Sequence, residues 1–179
     1  MADYFTPTVV EPEIPDGDMT PLERLLLSRI FETERYNGAT YLFSEQGPSD
    51  MIYLPRSELA AALTASGATT SGANAFIKER LAAVEDDTSE IEIDMSVIGW
   101  PFLFQDIVSR SATIPYVTVK SAFTCSKMRS DGFGGMAMLI TADDVMAKST
   151  HDLIEELEAK VKASPTKDGG QEDIADKTL

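Results

Sequence analysis

Hydrophobic and polar positions follow two different periods along this chain. From Leu22 to Ile30 the apolar residues Leu22, Leu25, Leu26 and Ile30 recur three to four apart, the spacing of one face of an amphipathic helix. Thr20-Pro21-Leu22-Glu23 opens that run. Thr20 can cap, Pro21 suits a first turn, and Glu23 stands where it closes a capping box. Asn37-Gly38 is expected to stop the helix. Two short strands are predicted at about 39–45 and 50–54, joined through Gly47-Pro48. A helix near 56–66 should end at Gly67, and Ser71 should cap another whose inner face is Ala73, Phe76, Ile77, Leu81 and Val84.

The period then shifts to two. Glu90, Ile91, Glu92, Ile93, Asp94 and Met95 alternate strictly, so a strand of about 89–95 carries carboxylates on one face and apolar side chains on the other. Gly99-Trp100-Pro101 breaks the pattern and starts a helix to about Arg110, burying Phe102 or Leu103 with Phe104, Ile107 and Val108. A long strand of about 116–127 follows, with Val117, Val119, Phe123 and Cys125 on one face. Asp131-Gly132 signals a hairpin, and Phe133 to Thr141 returns as an inner strand, apolar on both faces. Thr141 is expected to cap a short helix containing Asp143 and Asp144. Ser149 or Thr150 should start a last helix through Lys162, with Leu153, Ile154, Leu157 and Val161 facing inward.

This order predicts an α+β fold: one mixed, mainly antiparallel sheet of about five strands packed with about five or six helices. Strand–helix–strand between 90 and 125 suggests a right-handed parallel crossover. Residues 1–19, with five acids, no base and four prolines or glycines, are expected to form an extended acidic arm. Residues 20–163 form a single domain, and the polar segment 164–179 is expected to be a disordered tail.

Charge narrows the functional classes. Thirty acids stand against fifteen bases, a formal net charge of −15. Such a surface repels phosphate backbones, so direct nucleic-acid binding is not expected, whereas a basic protein surface would be attracted. No apolar run reaches the ~18–20 residues of a membrane span. With a single cysteine, Cys125, and no basic-then-apolar leader at the N-terminus, the expected compartment is the cytoplasm.

Candidate chemistry is sparse. The one histidine, His151, opens a polar helix, and its neighbour Asp152 diverges by about 100° rather than facing it. A solvated first-turn residue is the expectation. Cys125 shares its strand face with Phe123 and Val119, so an inert thiol is expected over a nucleophile activated by Lys127. Glu90, Glu92 and Asp94 project in parallel about 6.5–7 Å apart, which does not converge on a cation. A solvated face or an acidic protein-binding patch fits them better than a metal site. Ser126 to Gly135 is locally basic, and it lacks the phosphate-loop pattern. Lys127 and Arg129 would supply charge there and Phe133 an apolar anchor.

The runs TPLERLLL at 20–27, DMSVIGW at 94–100, FQDIV at 104–108 and FTCSKMRSDGFGGMAMLITAD at 123–143 resemble a set of small uncharacterised bacterial proteins, mainly alphaproteobacterial and often plasmid-borne. The resemblance spans roughly 5–160. It implies a bacterial intracellular protein and brings with it no activity and no site residues.

The reading that results is a non-enzymatic acidic interaction or regulatory module that binds a protein partner with a basic surface. Its partner-binding candidates are Glu90, Glu92 and Asp94 on the strand and Lys127, Arg129 and Phe133 on the loop. No catalytic residue, metal ligand or cofactor is assigned. Two alternatives stand beside it: a nucleic-acid mimic inhibiting a DNA- or RNA-handling protein, and an enzyme built on a carboxylate/lysine site. A homodimer exchanging its N-terminal arms is a further expectation.

Overall fold

The computed structural model describes residues 2–96 and 99–163, so the expected tail at 164–179 lies outside the described residues. The elements in chain order are β1 (Tyr4–Phe5), β2 (Thr8–Pro15), α1 (Pro21–Ile30), β3 (Glu32–Tyr36), β4 (Ala39–Ser44), β5 (Met51–Pro55), α2 (Arg56–Ala65), α3 (Gly72–Ala83), β6 (Glu90–Asp94), α4 (Trp100–Arg110), β7 (Val117–Cys125), β8 (Gly134–Ile140), β9 (Val145–Ser149) and α5 (Thr150–Ala163). The large sheet runs β3-β4-β2-β7-β8-β9, with β1 also on β7; β5 and β6 form a separate two-stranded sheet. The α+β class stands, with more strands than expected.

Every strand pairing among the described residues is antiparallel. The parallel crossover between 90 and 125 therefore does not exist: β6 and β7 belong to different sheets. The consecutive strands expected at 39–45 and 50–54 do not pair as a hairpin either. Both edges of β4 are taken, one by β3 and one by β2, which leaves none for β5. The chain turns at Gly47 (φ 137°), and β5 finds its partner in β6.

The N-terminal segment corrects the expectation of an arm. β2 lies inside the large sheet between β4 and β7. Val10 and Ile14 are core residues, while Tyr4 and Phe5 remain exposed. β1 and β2 run along the same edge of β7, from Tyr4 opposite Cys125 to Glu11 opposite Thr118. The strand thus closes within its own chain.

α1 keeps its predicted start. Thr20 Oγ1 accepts from the Glu23 N–H, and the Glu23 carboxylate accepts from the Thr20 N–H at 2.9 Å. Its predicted end is wrong. The helix stops at Ile30, and Asn37-Gly38, both at positive φ, form the turn of the β3–β4 hairpin. Two successive left-handed residues match the right-handed twist of a hairpin. β3 is a fully exposed edge strand, so burial leaves no alternation in Glu32–Tyr36 to betray it.

One face of the large sheet supplies Val10, Ile14, Leu42, Val117, Val119 and Ile140 to the core. Against it pack Leu22, Leu26, Leu27 and Ile30 of α1 and Leu103, Phe104, Ile107 and Val108 of α4. On α4 it is Leu103 that is buried, while Phe102 faces outward. Phe31, Trp100 and Phe104 form an aromatic cluster with centroids 5.3–6.1 Å apart, Trp100 edge-on to both phenylalanines and the phenylalanines tilted to each other. The small sheet closes the helical layer with Ile52, Leu54, Ile91 and Ile93, all buried.

Two further expectations fail at the C-terminal side. Thr141 caps no helix. Its hydroxyl accepts from the Asp144 N–H inside a tight turn, and the chain continues as β9. Side-chain-to-backbone bonds of this kind serve turns and helix caps alike. α5 forms where predicted, but none of its residues is buried.

Candidate functional site

The acidic strand sits where its alternation implies. In β6 Ile91 and Ile93 enter the core, while Glu90 and Glu92 are exposed and Asp94 is half-buried. The register with β5 sets Asp94 opposite Met51, Glu92 opposite Tyr53 and Glu90 opposite Pro55. The outward face of this sheet is therefore three carboxylates interleaved with Met51 and Tyr53, both large and exposed.

The hydrogen-bond pattern brings these side chains close. The Met95 N–H donates to the Asp50 carbonyl at 2.7 Å and the Arg56 N–H to the Ser89 carbonyl at 2.9 Å. Tyr53 and Glu92 consequently occupy a non-hydrogen-bonded pair, where opposing Cα atoms lie only about 4.5 Å apart. The Glu92 carboxylate beside it pushes the Tyr53 phenol above its ordinary range. Asp94 accepts from both the N–H and the hydroxyl of Ser96 (2.9 and 2.6 Å), and these bonds hold its carboxyl below the ordinary range. It is a fixed anion at neutral pH.

Two arginines shape the ground beneath the patch. Arg56 donates to the carbonyls of Leu81, Val84 and Glu85 and pairs with Asp86 at 3.0 Å. Arg80 Nε donates to the Glu92 carbonyl at 3.0 Å. Both guanidinium groups thus bond main-chain oxygen, and no ion pair joins them to Glu90, Glu92 or Asp94. The acidic face keeps its charge while its backbone is held.

The loop candidates lie elsewhere. Lys127, Arg129 and Phe133 belong to the connection between β7 and β8 in the large sheet. All three are exposed, and Met128 beside them is 92% exposed. The loop is tied to the N-terminus: the Ser126 N–H donates to the Asp3 carbonyl, and the Asp3 N–H to the Ser126 hydroxyl. Arg129 pairs with Asp131 at 3.1 Å, which lowers the Asp131 carboxyl and offsets the positive charge. The basic character expected of this loop is therefore reduced to Lys127. Gly132 is buried against Cys125; a Cβ there would lie 2.5 Å from that of the cysteine. The six predicted residues form two separate patches on two sheets.

The other candidates behave as surface groups. His151 is largely exposed and pairs with Glu155 one helical turn on, at 3.3 Å. Among the described residues, no group of three or more His, Cys, Asp or Glu side chains is arranged to hold a metal. Asp16 forms a polar junction outside the acidic face. Its carboxylate takes Arg35 and the Thr40 hydroxyl, and these contacts lower it below the ordinary range. The adjoining cleft, about 380 Å³, is lined by Met19, Leu25 and Leu42 with Arg24 and Arg35.

Tyr53 and Met51 are the members of the acidic face that sequence reasoning missed. Their alternation with Ile52 and Leu54 was visible, but the partner strand was not. No helix among the described residues is long and apolar enough to cross a membrane. Comparisons with protein-family models, with curated proteins and with solved structures gave no match.

Proposed function

We propose that this protein is a non-enzymatic interaction module whose contact surface is the outward face of β5–β6, and that its partner is a protein with a basic surface. The observation that carries this reading is the interleaving of Glu90, Glu92 and Asp94 with Met51 and Tyr53 on one rigid two-stranded sheet. Carboxylates supply long-range attraction and faster encounter. An exposed tyrosine and methionine supply the apolar contact that charge alone lacks. The inner face of the same two strands is core, so the surface is held in shape before any partner arrives. In the narrower form of this reading, the carboxylate row imitates a nucleic-acid backbone and occupies the basic groove of a DNA- or RNA-handling protein.

Affinity capture from the native host at low and high salt tests the reading. Captured protein should fall steeply as salt rises, because exposed charges more than about 8–10 Å apart are screened at physiological ionic strength. Glu90→Lys with Glu92→Lys should abolish capture while changing stability by no more than about 0.5 kcal/mol, as for other surface substitutions. Tyr53→Ala should weaken capture at every salt concentration. Capture that survives the double charge reversal would overturn the assignment of this face.

A further inference from the structure

At β3 the large sheet extends one strand past its buried core. The β3–β4 register sets Thr33 opposite Leu42 and Arg35 opposite Thr40, so these four side chains share one face of the sheet. Thr40 and Leu42 are buried there, yet Thr33 and Arg35 are exposed. α1 presents Pro21, Arg24, Leu25 and Ser28 to the same space, spaced i, i+3, i+4 and i+7 along one side of the helix. Edge strand and helix thus bound the cleft of about 380 Å³ that adjoins Asp16. Met19, Leu27 and Leu42, all buried, and the half-buried Leu25 give it an apolar lining.

The charge of this cleft is opposite to that of the molecule. Arg24 and Arg35 line it and no acid does, in a chain with 30 acids and 15 bases. Both guanidinium groups reach one residue: Arg24 donates from one nitrogen to the Asp16 carbonyl, and Arg35 from one nitrogen to the Asp16 carboxylate. A single carboxylate therefore stands against two cations. Each guanidinium carries several further N–H donors. One of them, the Arg24 Nε–H, is buried with no hydrogen-bond partner among the described residues, a state that native structures seldom leave uncorrected. We propose that this cleft binds a small amphiphilic carboxylate, with its head on Arg24 and Arg35 and its apolar body along Leu25, Leu27 and Leu42. Guanidinium and carboxylate match in shape as well as charge. At about 30 Å³ for each water-sized group, the space takes on the order of a dozen non-hydrogen atoms, the size of a medium-chain fatty acid. An apolar cleft with a few placed polar groups is the usual form of a small-molecule site. A body of net charge −15 repels anions in general, so an anion retained here is held by these two side chains. None of them belongs to the β5–β6 face, and the two ideas fail independently.

Titration of octanoate into the isotope-labelled full chain at constant ionic strength, followed by amide NMR shifts, tests the proposal. The shifts should saturate as for one site and centre on residues 24–28, 33–35 and 40–42. Octanol keeps the apolar body without the charge, and acetate keeps the charge without the body. Each should bind at least about ten-fold more weakly than octanoate, the loss expected for a missing charged hydrogen bond or a missing apolar contact. Arg24→Met, which retains the apolar stem, and Arg35→Gln should each weaken octanoate by about five- to ten-fold and leave octanol unchanged. Ser28→Trp, at an exposed position of α1, should fill the cleft and abolish binding of both. Arg35→Gln and Ser28→Trp alter exposed side chains, so they decide the matter even where Arg24→Met fails to fold. Shifts scattered over the surface or absent at millimolar octanoate, octanol binding as tightly as octanoate, or octanoate affinity indifferent to Arg35→Gln and Ser28→Trp would each overturn the proposal.

Discussion

Glu23 shows how much one side chain can be asked to do. It is fully buried, closes the cap of α1 through the Thr20 N–H, and receives Arg110 on both carboxylate oxygens at 2.7 and 2.6 Å. Its capping role follows from Thr-x-x-Glu spacing alone. Its bond to the end of α4, 87 residues away, does not. Removing one partner of a buried pair leaves the other uncompensated, at a cost of about 3–5 kcal/mol, and a lost cap adds about 1 kcal/mol. Arg110 is a quarter exposed and can be partly rehydrated. Glu23→Ala should therefore destabilise by about 3 kcal/mol, measured by urea unfolding, and Thr20→Ala by about 1 kcal/mol. A Glu23→Ala loss no larger than that of Thr20→Ala would mean that the Arg110 pair contributes nothing.

At the level of elements, the hairpin between β3 and β4 is the clearest lesson. Asn37-Gly38 is both a helix stop and a hairpin turn, and the choice depends on whether the residues before it have already left the helix. They have, because Phe31 leaves α1 to pack against Trp100 and Phe104. Gly38 lies at φ +80° with open space around it. Gly38→Val should thus be destabilising through backbone strain alone, by about 1–2 kcal/mol. Amide exchange should quicken in β3 and in the β4 amides paired with it more than in β7 and β8. The same ambiguity governs Thr141, whose hydroxyl bond closes a turn here, and α5, whose stripe has the period of a core helix but no core beneath it.

For the whole molecule, the excess of acid sets the response to salt and pH. A net charge of −15 repels itself within the folded body, so moderate salt should raise the melting temperature at pH 7. Acid acts in the opposite direction through Asp16, whose carboxyl is lowered by Arg35 and Thr40. A folded pKa below the unfolded value of about 3.9 contributes stability that is complete above that value and is lost as pH falls through the folded pKa. Asp16→Asn should melt below the wild type at pH 7, and the difference should shrink below about pH 4. A difference constant from pH 7 to pH 2.5 would show that the junction acts by packing and not by charge.

Local periodicity and cap chemistry were enough to determine that α1, α2, α3, α4 and the acidic strand form, which faces of α1, α3 and α4 are apolar, and that Glu90 and Glu92 point to solvent. These features depend on neighbours three or four residues away, or two along a strand, and short-range sterics decide them. Tertiary structure alone decided which strands pair, that β2 is an inner strand, that Tyr53 and Met51 join the carboxylates, and that α5 meets β8 and β9 without burying any of its residues. Those outcomes depend on which sheet edges and core surfaces remain free once the rest has packed. Competition among distant segments sets that, and no local pattern records it.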